Sequence, residues 1–259
     1  MSVLDSIIEG VREDLADRRI SMAQIHEQIE KADPALDAMD FLRRENLAII
    51  AEIKRSSPSK GELARIADPA SLAQQYQSAG ASAISVLTER RRFGGSLEDL
   101  DAVRQSVSIP ILRKDFMVDE YQFYEARAHG ADIVLLIVAA ISKNQLSDFY
   151  QLTIALGMSA LVEVHTNEEL ESALSISPDI IGVNSRNLKT LEVDRKVFAN
   201  LIPRLPENIV RVAESGISTR ADVEFAQKQG ANAILVGEAL VRAENLQERM
   251  RELRGLDRL

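Results

Sequence analysis

The 259-residue chain has no cysteine and no tryptophan, and aromatic residues make up only 4% of it. Without cysteine there is no disulfide, no thiolate nucleophile and no Cys-ligated zinc or iron–sulfur site. The absence fits a reducing compartment without requiring one. Histidine is sparse as well. His26, His129 and His165 are far apart, with neither HExxH nor His-x-His spacing. No metal site is expected, although a carboxylate-held magnesium ion stays open. Positive charge is in deficit: 31 basic residues against 40 acidic ones give a net charge of −9. Coating nucleic acid needs a basic face, and a polybasic anchor needs clustered lysine and arginine. Neither partner is expected, while a local cationic pocket for a small anion is still allowed. Long apolar runs are missing too. The longest, IVLLIVAAI, spans Ile133 to Ile141, against about 20 residues for a membrane helix. The opening MSVLDSIIEGVREDL is amphipathic and acidic, unlike a signal peptide. A cytoplasmic protein is the expectation.

What is present is alternation. Short apolar runs begin near residues 47, 82, 109, 132, 159, 180, 209 and 233: LAIIAEI, SAISVL, IPILR, DIVLLIV, SALVEV, IIGVN, IVRVAE and AILVG. Each gap between them holds one helix and its loops. Thr166-x-x-Glu169 reads as a capping box, Pro69 as a first helical turn, and Gly80, Gly130 and Gly230 as residues just past helix ends. The last three glycines mark a repeat: AGASAISV, HGADIVLL and QGANAILV each run from helix end into strand. Strands apolar on both faces, alternating with helices, imply a parallel sheet. Eight such units predict an α/β fold, a closed (β/α)8 TIM barrel. An open doubly wound sheet would usually place GxGxxG after its first strand, where this chain has KRSSPSKGE. Residues 1–46 read as a helical N-terminal extension, broken near Ala32-Asp33-Pro34, that either covers the bottom or side of the barrel or helps close its mouth. No Gly/Ser linker separates them, so 1–259 is expected to be one domain.

Barrel chemistry sits at the C-terminal ends of the strands. There the apolar runs finish in charge: Glu52 and Lys54 on the first strand, Arg113, Lys114 and Asp115 on the third, Glu163 on the fifth, Asn184 and Arg186 on the sixth, Glu214 on the seventh. Glu52 and Lys54 are two apart and share a face, whereas Arg113 and Lys114 must point opposite ways. Bringing Glu52, Lys54, Lys114, Glu163, Arg186 and Glu214 toward one axis is costly unless they pair with one another or with a charged ligand. Stability does not need that cluster, but a catalytic site could use it. Ser215-Gly216 and Gly237-Glu238 follow the last two strands, where barrel phosphate sites form. The long first loop, RSSPSKGELARIAD, could be a lid. His165 follows the fifth strand with no Ser or Asp in evident partnership and reads as mainly structural or peripheral.

The series AEIKRSSPSKG, SVLTE, RKDF, LVEVH, GVNSRNL, AESGI and LVGEALV, in this order, resembles that of the indole-3-glycerol phosphate synthases over about residues 3–245. The resemblance implies closure of an indole ring. 1-(2-Carboxyphenylamino)-1-deoxyribulose 5-phosphate would become indole-3-glycerol phosphate, carbon dioxide and water, with no cofactor. It implies Lys114 as general acid, Glu163 as the carboxylate of later proton transfers, and Lys54 near the substrate carboxylate. Glu52 would orient Lys54, Asn184 would hold Glu163 or a substrate hydroxyl, and Glu214 would position lysines or hydroxyls. Arg186 would pair with the aromatic carboxylate and Ser57 would touch substrate from the lid. Phe116, Leu87, Leu135 and Ile137 would flank the aromatic ring. Ser215, Gly216, Gly237 and the backbone N–H of Glu238 would cradle phosphate. Three consecutive arginines in SVLTERRRFGGS depart from the mixed polar residues expected there. Two other readings compete: a different isomerase or cyclase acting on a phosphoribosyl compound, and a catalytically silent ligand-binding barrel. A monomer and a homodimer fit equally well.

Overall fold

The apolar runs all become strands. In the computed structural model, which describes residues 2–43 and 47–256, these are β1 (Ala48–Ile53), a short pair β2 (Ser56–Ser57) and β3 (Gly61–Glu62), then β4 (Ala83–Leu87), β5 (Ile111–Lys114), β6 (Ile133–Ile137), β7 (Ser159–Val164), β8 (Ile180–Asn184), β9 (Val210–Glu214) and β10 (Ala233–Val236). The expected end of the extension at residue 46, and residues 257–259, lie outside the described residues. All strands except β2 and β3 are parallel neighbours in the closed order β1-β10-β9-β8-β7-β6-β5-β4, with β4 returning to β1. The eight-stranded (β/α)8 barrel is therefore present.

The helices are α1 (Val3–Arg18), α2 (Met22–Lys31), α3 (Ala38–Leu42), α4 (Pro69–Ser78), α5 (Arg90–Phe93), α6 (Leu97–Arg104), α7 (Tyr121–Ala128), α8 (Lys143–Ala155), α9 (Asn167–Leu174), α10 (Lys196–Leu201), α11 (Arg220–Lys228), α12 (Glu238–Val241) and α13 (Leu246–Arg254). Pro69 opens α4, where its missing N–H costs nothing. The Thr166 hydroxyl accepts from the Glu169 N–H, but the Glu169 carboxylate reaches past Thr166 to the His165 N–H. The expected capping box is thus only half formed.

Alternation splits each barrel strand between two apolar clusters. Ile49, Ala51, Ile84, Ile111, Val134, Val162, Ile181 and Ile234 pack outward with the helices. Ala48, Ile50, Leu112, Ile133, Leu161, Ile180, Val210 and Ala233 fill the interior. The extension serves both ends of that interior. Leu4, Ile7 and Val11 of α1 join Phe116, Leu135 and Ile137 at the mouth, while Ala38 and Leu42 of α3 sit with Ala48 and Ile133 at the base. Within the described residues, α1 therefore lies at the mouth and α3 at the base.

The arginine run explains how α1 is held. Arg91 meets Glu13 and Asp14 of α1 at 2.6 Å each, and Arg92 donates to Ser6 Oγ. At the far end of α1, Arg18 pairs with Glu125 of α7 at 2.8 Å. Glu125 in turn accepts from the wholly buried Arg113, which also donates to Asp115 and to the Gln122 carbonyl. Arg113 thus points outward, as its place beside Lys114 demands.

Candidate active site

The C-terminal ends of the strands surround a cavity of about 1190 Å³. Every position given a role by the family resemblance lines it: Glu52, Lys54, Ser57, Leu87, Lys114, Phe116, Leu135, Ile137, Glu163, Asn184, Arg186, Glu214, Ser215, Gly216, Gly237 and Glu238. Residues spread over nearly 190 positions meet because they stand on, or in the loops just past, the C-terminal ends of strands that converge on one mouth.

Lys114 stands at the centre. Its Nζ donates to Glu163 Oε2 at 2.7 Å and to Glu214 Oε2 at 2.9 Å. Burial works against the ammonium, but the carboxylates of Glu163, Glu214 and Glu52 outweigh it and raise the lysine pKa above its ordinary value. The lysine is therefore held charged. The two carboxylates diverge. Burial alone would raise Glu163, yet Lys114 and His165 overcome it and hold Glu163 below the carboxylate range. Burial pushes Glu214 up; Lys114 opposes this and the Glu163 charge adds to it. Glu214 Oε1 is buried without a hydrogen-bond partner, as suits a carboxyl that tends to neutrality. One ammonium thus stands between an ionised and a more readily protonated carboxyl.

Glycine makes this crowding possible. A Cβ on Gly182 would lie 1.9 Å from Glu214 Oε1, and one on Gly237 would lie 2.8 Å from Glu52 Oε1. Glu52, lodged beside Gly237, pairs with Lys54 just past the end of its strand. Of the two partners expected for Asn184, Glu163 or a substrate hydroxyl, Glu163 is not engaged here. Asn184 Oδ1 accepts the Arg186 N–H at 2.9 Å, because a short amide at a strand end closes its own turn first. Arg186 donates to Ser59 Oγ at 3.2 Å and to the Leu191 carbonyl. After β9 the chain turns through two left-handed residues, Ser215 at φ 63° and Gly216 at φ 71°. A serine there stores backbone strain on the order of 1 kcal/mol.

The lid expectation gains detail. Ser57 pairs with Gly61 across the β2–β3 turn. Arg55 fastens the base of the loop to Asp99, and Lys60 reaches across the mouth to Glu238 at 2.7 Å. The Glu238 side chain is thereby occupied by Lys60 and Arg242. Sequence reasoning missed Lys60, and it missed Phe93, whose ring lies 6.1 Å from that of Phe116. It also missed Val3, Leu4 and Ile7 of α1, which line the cavity.

His165, read as mainly structural or peripheral, is not among the residues lining the cavity, but it lies against two glutamates that the reading did not consider: Nε2 is 3.3 Å from Glu163 Oε1, and Nδ1 is 3.0 Å from Glu169 Oε2. The signal was in the sequence. Glu163 and His165 are two apart, the same spacing that put Glu52 and Lys54 on one face.

A parallel barrel with a charged lysine between two glutamates at its mouth, beside glycine turns on the last two strands, defines a class of acid–base barrel enzymes. The comparisons narrow the class. The family model described as indole-3-glycerol phosphate synthase matches residues 4–253. Proteins named indole-3-glycerol phosphate synthase from Mycolicibacterium gilvum (strain PYR-GCK) and Paenarthrobacter aurescens (strain TC1) are each 58% identical to this chain. The alignments cover 93% of the chain and 89% of the first relative, and 98% and 96% for the second. A solved structure of a 3-hexulose-6-phosphate synthase superposes with a TM-score of 0.64 at 15% identity, over 82% of this chain and 99% of that one, and shows the fold alone. The chain belongs to the indole-3-glycerol phosphate synthase family.

Proposed function

We propose that the chain is a decarboxylating lyase of tryptophan biosynthesis that closes the indole ring of 1-(2-carboxyphenylamino)-1-deoxyribulose 5-phosphate, with Lys114 as its general acid. The observation that carries the assignment is the Lys114 ammonium held between Glu163 and Glu214. As the aromatic carbon attacks the ketone, Lys114 delivers a proton to the developing alkoxide. A positioned acid of this kind contributes on the order of 10²–10⁴-fold. Loss of carbon dioxide restores aromaticity. In the dehydration that makes the closed five-membered ring aromatic, Glu163, the ionised partner, takes the proton lost beside the ring nitrogen and returns it to the departing hydroxyl, which leaves as water. Glu214 supports the Lys114 ammonium. Lys54, oriented by Glu52, faces the substrate carboxylate and the charge that develops beside it. Arg186 forms a planar fork for the same carboxylate, exchanging its present bonds to Ser59 and Leu191 for it. Asn184 meets a substrate hydroxyl. Ser57, on the loop, contacts substrate, and Phe116, Leu87, Leu135 and Ile137 flank the ring. Ser215, Gly216, Gly237 and the Glu238 N–H receive the phosphate. No cofactor enters these steps. Residues 1–46 act as an extension of the one barrel domain, with α1 completing the mouth. Among the described residues no helix is long and apolar enough to cross a membrane, and we place the enzyme in the cytoplasm.

The test is indole fluorescence with the carboxyphenylamino-ribulose phosphate as substrate. The chain contains no tryptophan, so the protein background is weak. Signal should grow with enzyme and fall by at least 100-fold in Lys114→Ala, while that variant stays folded and binds product. Near-normal turnover in Lys114→Ala would remove it as the acid. No signal from folded wild-type protein would favour a silent barrel.

A further inference from the structure

On the side of Glu163 away from Lys114 stands His165. Lys114 engages Glu163 Oε2 at 2.7 Å, and His165 Nε2 faces Oε1 at 3.3 Å. That second approach is a charge contact rather than an aligned hydrogen bond. On its other side the imidazole is gripped by Glu169 of α9. Glu169 Oε2 lies 3.0 Å from Nδ1 and also accepts the His165 backbone N–H at 2.7 Å. This grip is what diverts Glu169 from its capping box, so a residue placed to cap α9 is used to hold a ring. The His165 side chain is only 9% exposed.

A neutral imidazole has one N–H and one lone pair. Here each ring nitrogen faces a carboxylate oxygen. A neutral ring would set an uncharged edge between two carboxylates, whereas the doubly protonated ring donates Nδ1–H to Glu169 and brings positive charge to 3.3 Å from Glu163 Oε1. We propose that His165, gripped by Glu169, is a positioning residue that stays an imidazolium and thereby keeps Glu163 ionised and aimed into the cavity. The inference rests on the role given above to Glu163.

The groups facing the ring are Glu163 on its own strand and Glu169 on α9. Through Glu163 it is coupled to Lys114 on β5 and Glu214 on β9. The turn of Val138, Ala139 and Ala140, packed against both β7 and α9, brings no charge. Burial opposes the imidazolium, but the bonds and charges of Glu163 and Glu169 outweigh it and raise the ring pKa to about 9.

Two variants and one titration test this. His165→Gln keeps a polar side chain of similar length, and Glu169→Gln can still accept the backbone N–H while losing its charge. With the positive charge gone, Glu163 protonates more readily. The acidic limb of the kcat/KM profile should move up by about one pH unit in His165→Gln, and by less in Glu169→Gln. At neutral pH, well above that limb, Glu163 stays ionised, so the loss in kcat should be small beside the loss on the acidic side. An unmoved acidic limb in both folded variants, or a rate loss equal at every pH, would overturn the proposal. Independently of turnover, the ring of His165, identified by its loss in His165→Gln, should titrate near pH 9 by nitrogen NMR and well below that in Glu163→Gln. A ring already neutral at pH 7.5 in the wild type overturns it as well. The two failures separate cleanly: no wild-type turnover strikes the proposed reaction, whereas wild-type turnover with a neutral ring strikes His165 alone.

Discussion

Lys114, Glu163 and Glu214 come from positions 49 and 100 residues apart and meet within 3 Å, and the room they need is made by a missing side chain. At Gly182 even a methyl group would occupy the place of Glu214 Oε1 and press on Leu161. Gly182→Ala is therefore expected to push Glu214 off Lys114. Overpacking of this kind costs about 1–3 kcal/mol, so the denaturant midpoint should drop and kcat should fall together. A variant that is fully active and equally stable would mean that Glu214 moves without consequence. At this scale the charged strand ends were legible as residue types, and the alternation rule placed Arg113 and Lys114 correctly on opposite sides. The Asn184 bond to the Arg186 N–H was not legible, because it depends on how the chain turns just past β8.

At the scale of elements, two of the three arginines after β4 fasten the extension. Arg91 bridges two acidic side chains of α1, and Arg92 holds Ser6. Exposed pairs of this kind contribute only about 0.2–1 kcal/mol each. The global stability of Arg91→Ala should therefore change little. Leu4 and Ile7 line the cavity, so loosening α1 should raise KM and speed proteolysis within residues 2–21. Unchanged KM and unchanged cleavage would show that apolar contacts alone hold the helix. The helical nature of the extension was legible from its amphipathic pattern. Its division, with α1 at the mouth and α3 at the base, was not, since nothing local says which end of a barrel a helix will meet. The arginine run looked anomalous in sequence for the same reason: its acidic partners lie 77 and 78 positions away.

At the scale of the whole molecule, buried charge couples the extension to the barrel. Arg113 is fully buried between Glu125 and Asp115, and Glu125 also holds Arg18. Removing one member of such a network leaves an uncompensated charge, and Glu125→Leu is expected to cost about 3–5 kcal/mol in denaturant unfolding. A loss below about 1 kcal/mol would mean that Asp115 alone satisfies Arg113. The shifted groups also set the pH response. The His165 ring, raised to about 9 from its ordinary 6.5, adds stability that is complete below pH 6.5 and is lost as pH rises through about 9. Burial works against the Glu125 carboxylate, but Arg113 and Arg18 hold its pKa below the ordinary 4.5, so its contribution is present above that value and disappears as the pH falls below it. Unfolding free energy measured from pH 6.5 to 9 should therefore decline, and decline less in His165→Gln.

The sequence by itself determined the eight βα units, the inward and outward faces of each strand, and the residue types that gather at the strand ends. These follow from periods of two and 3.6 residues and from caps and glycines that act within a few positions of themselves. Only the tertiary structure decided which charges touch, that Lys114 is held as an ammonium, that Glu163 and Glu214 diverge, and that His165 belongs beside the site. Those outcomes depend on burial and on distances across a closed barrel, and electrostatic energy in such an interior is set by separation through space rather than along the chain.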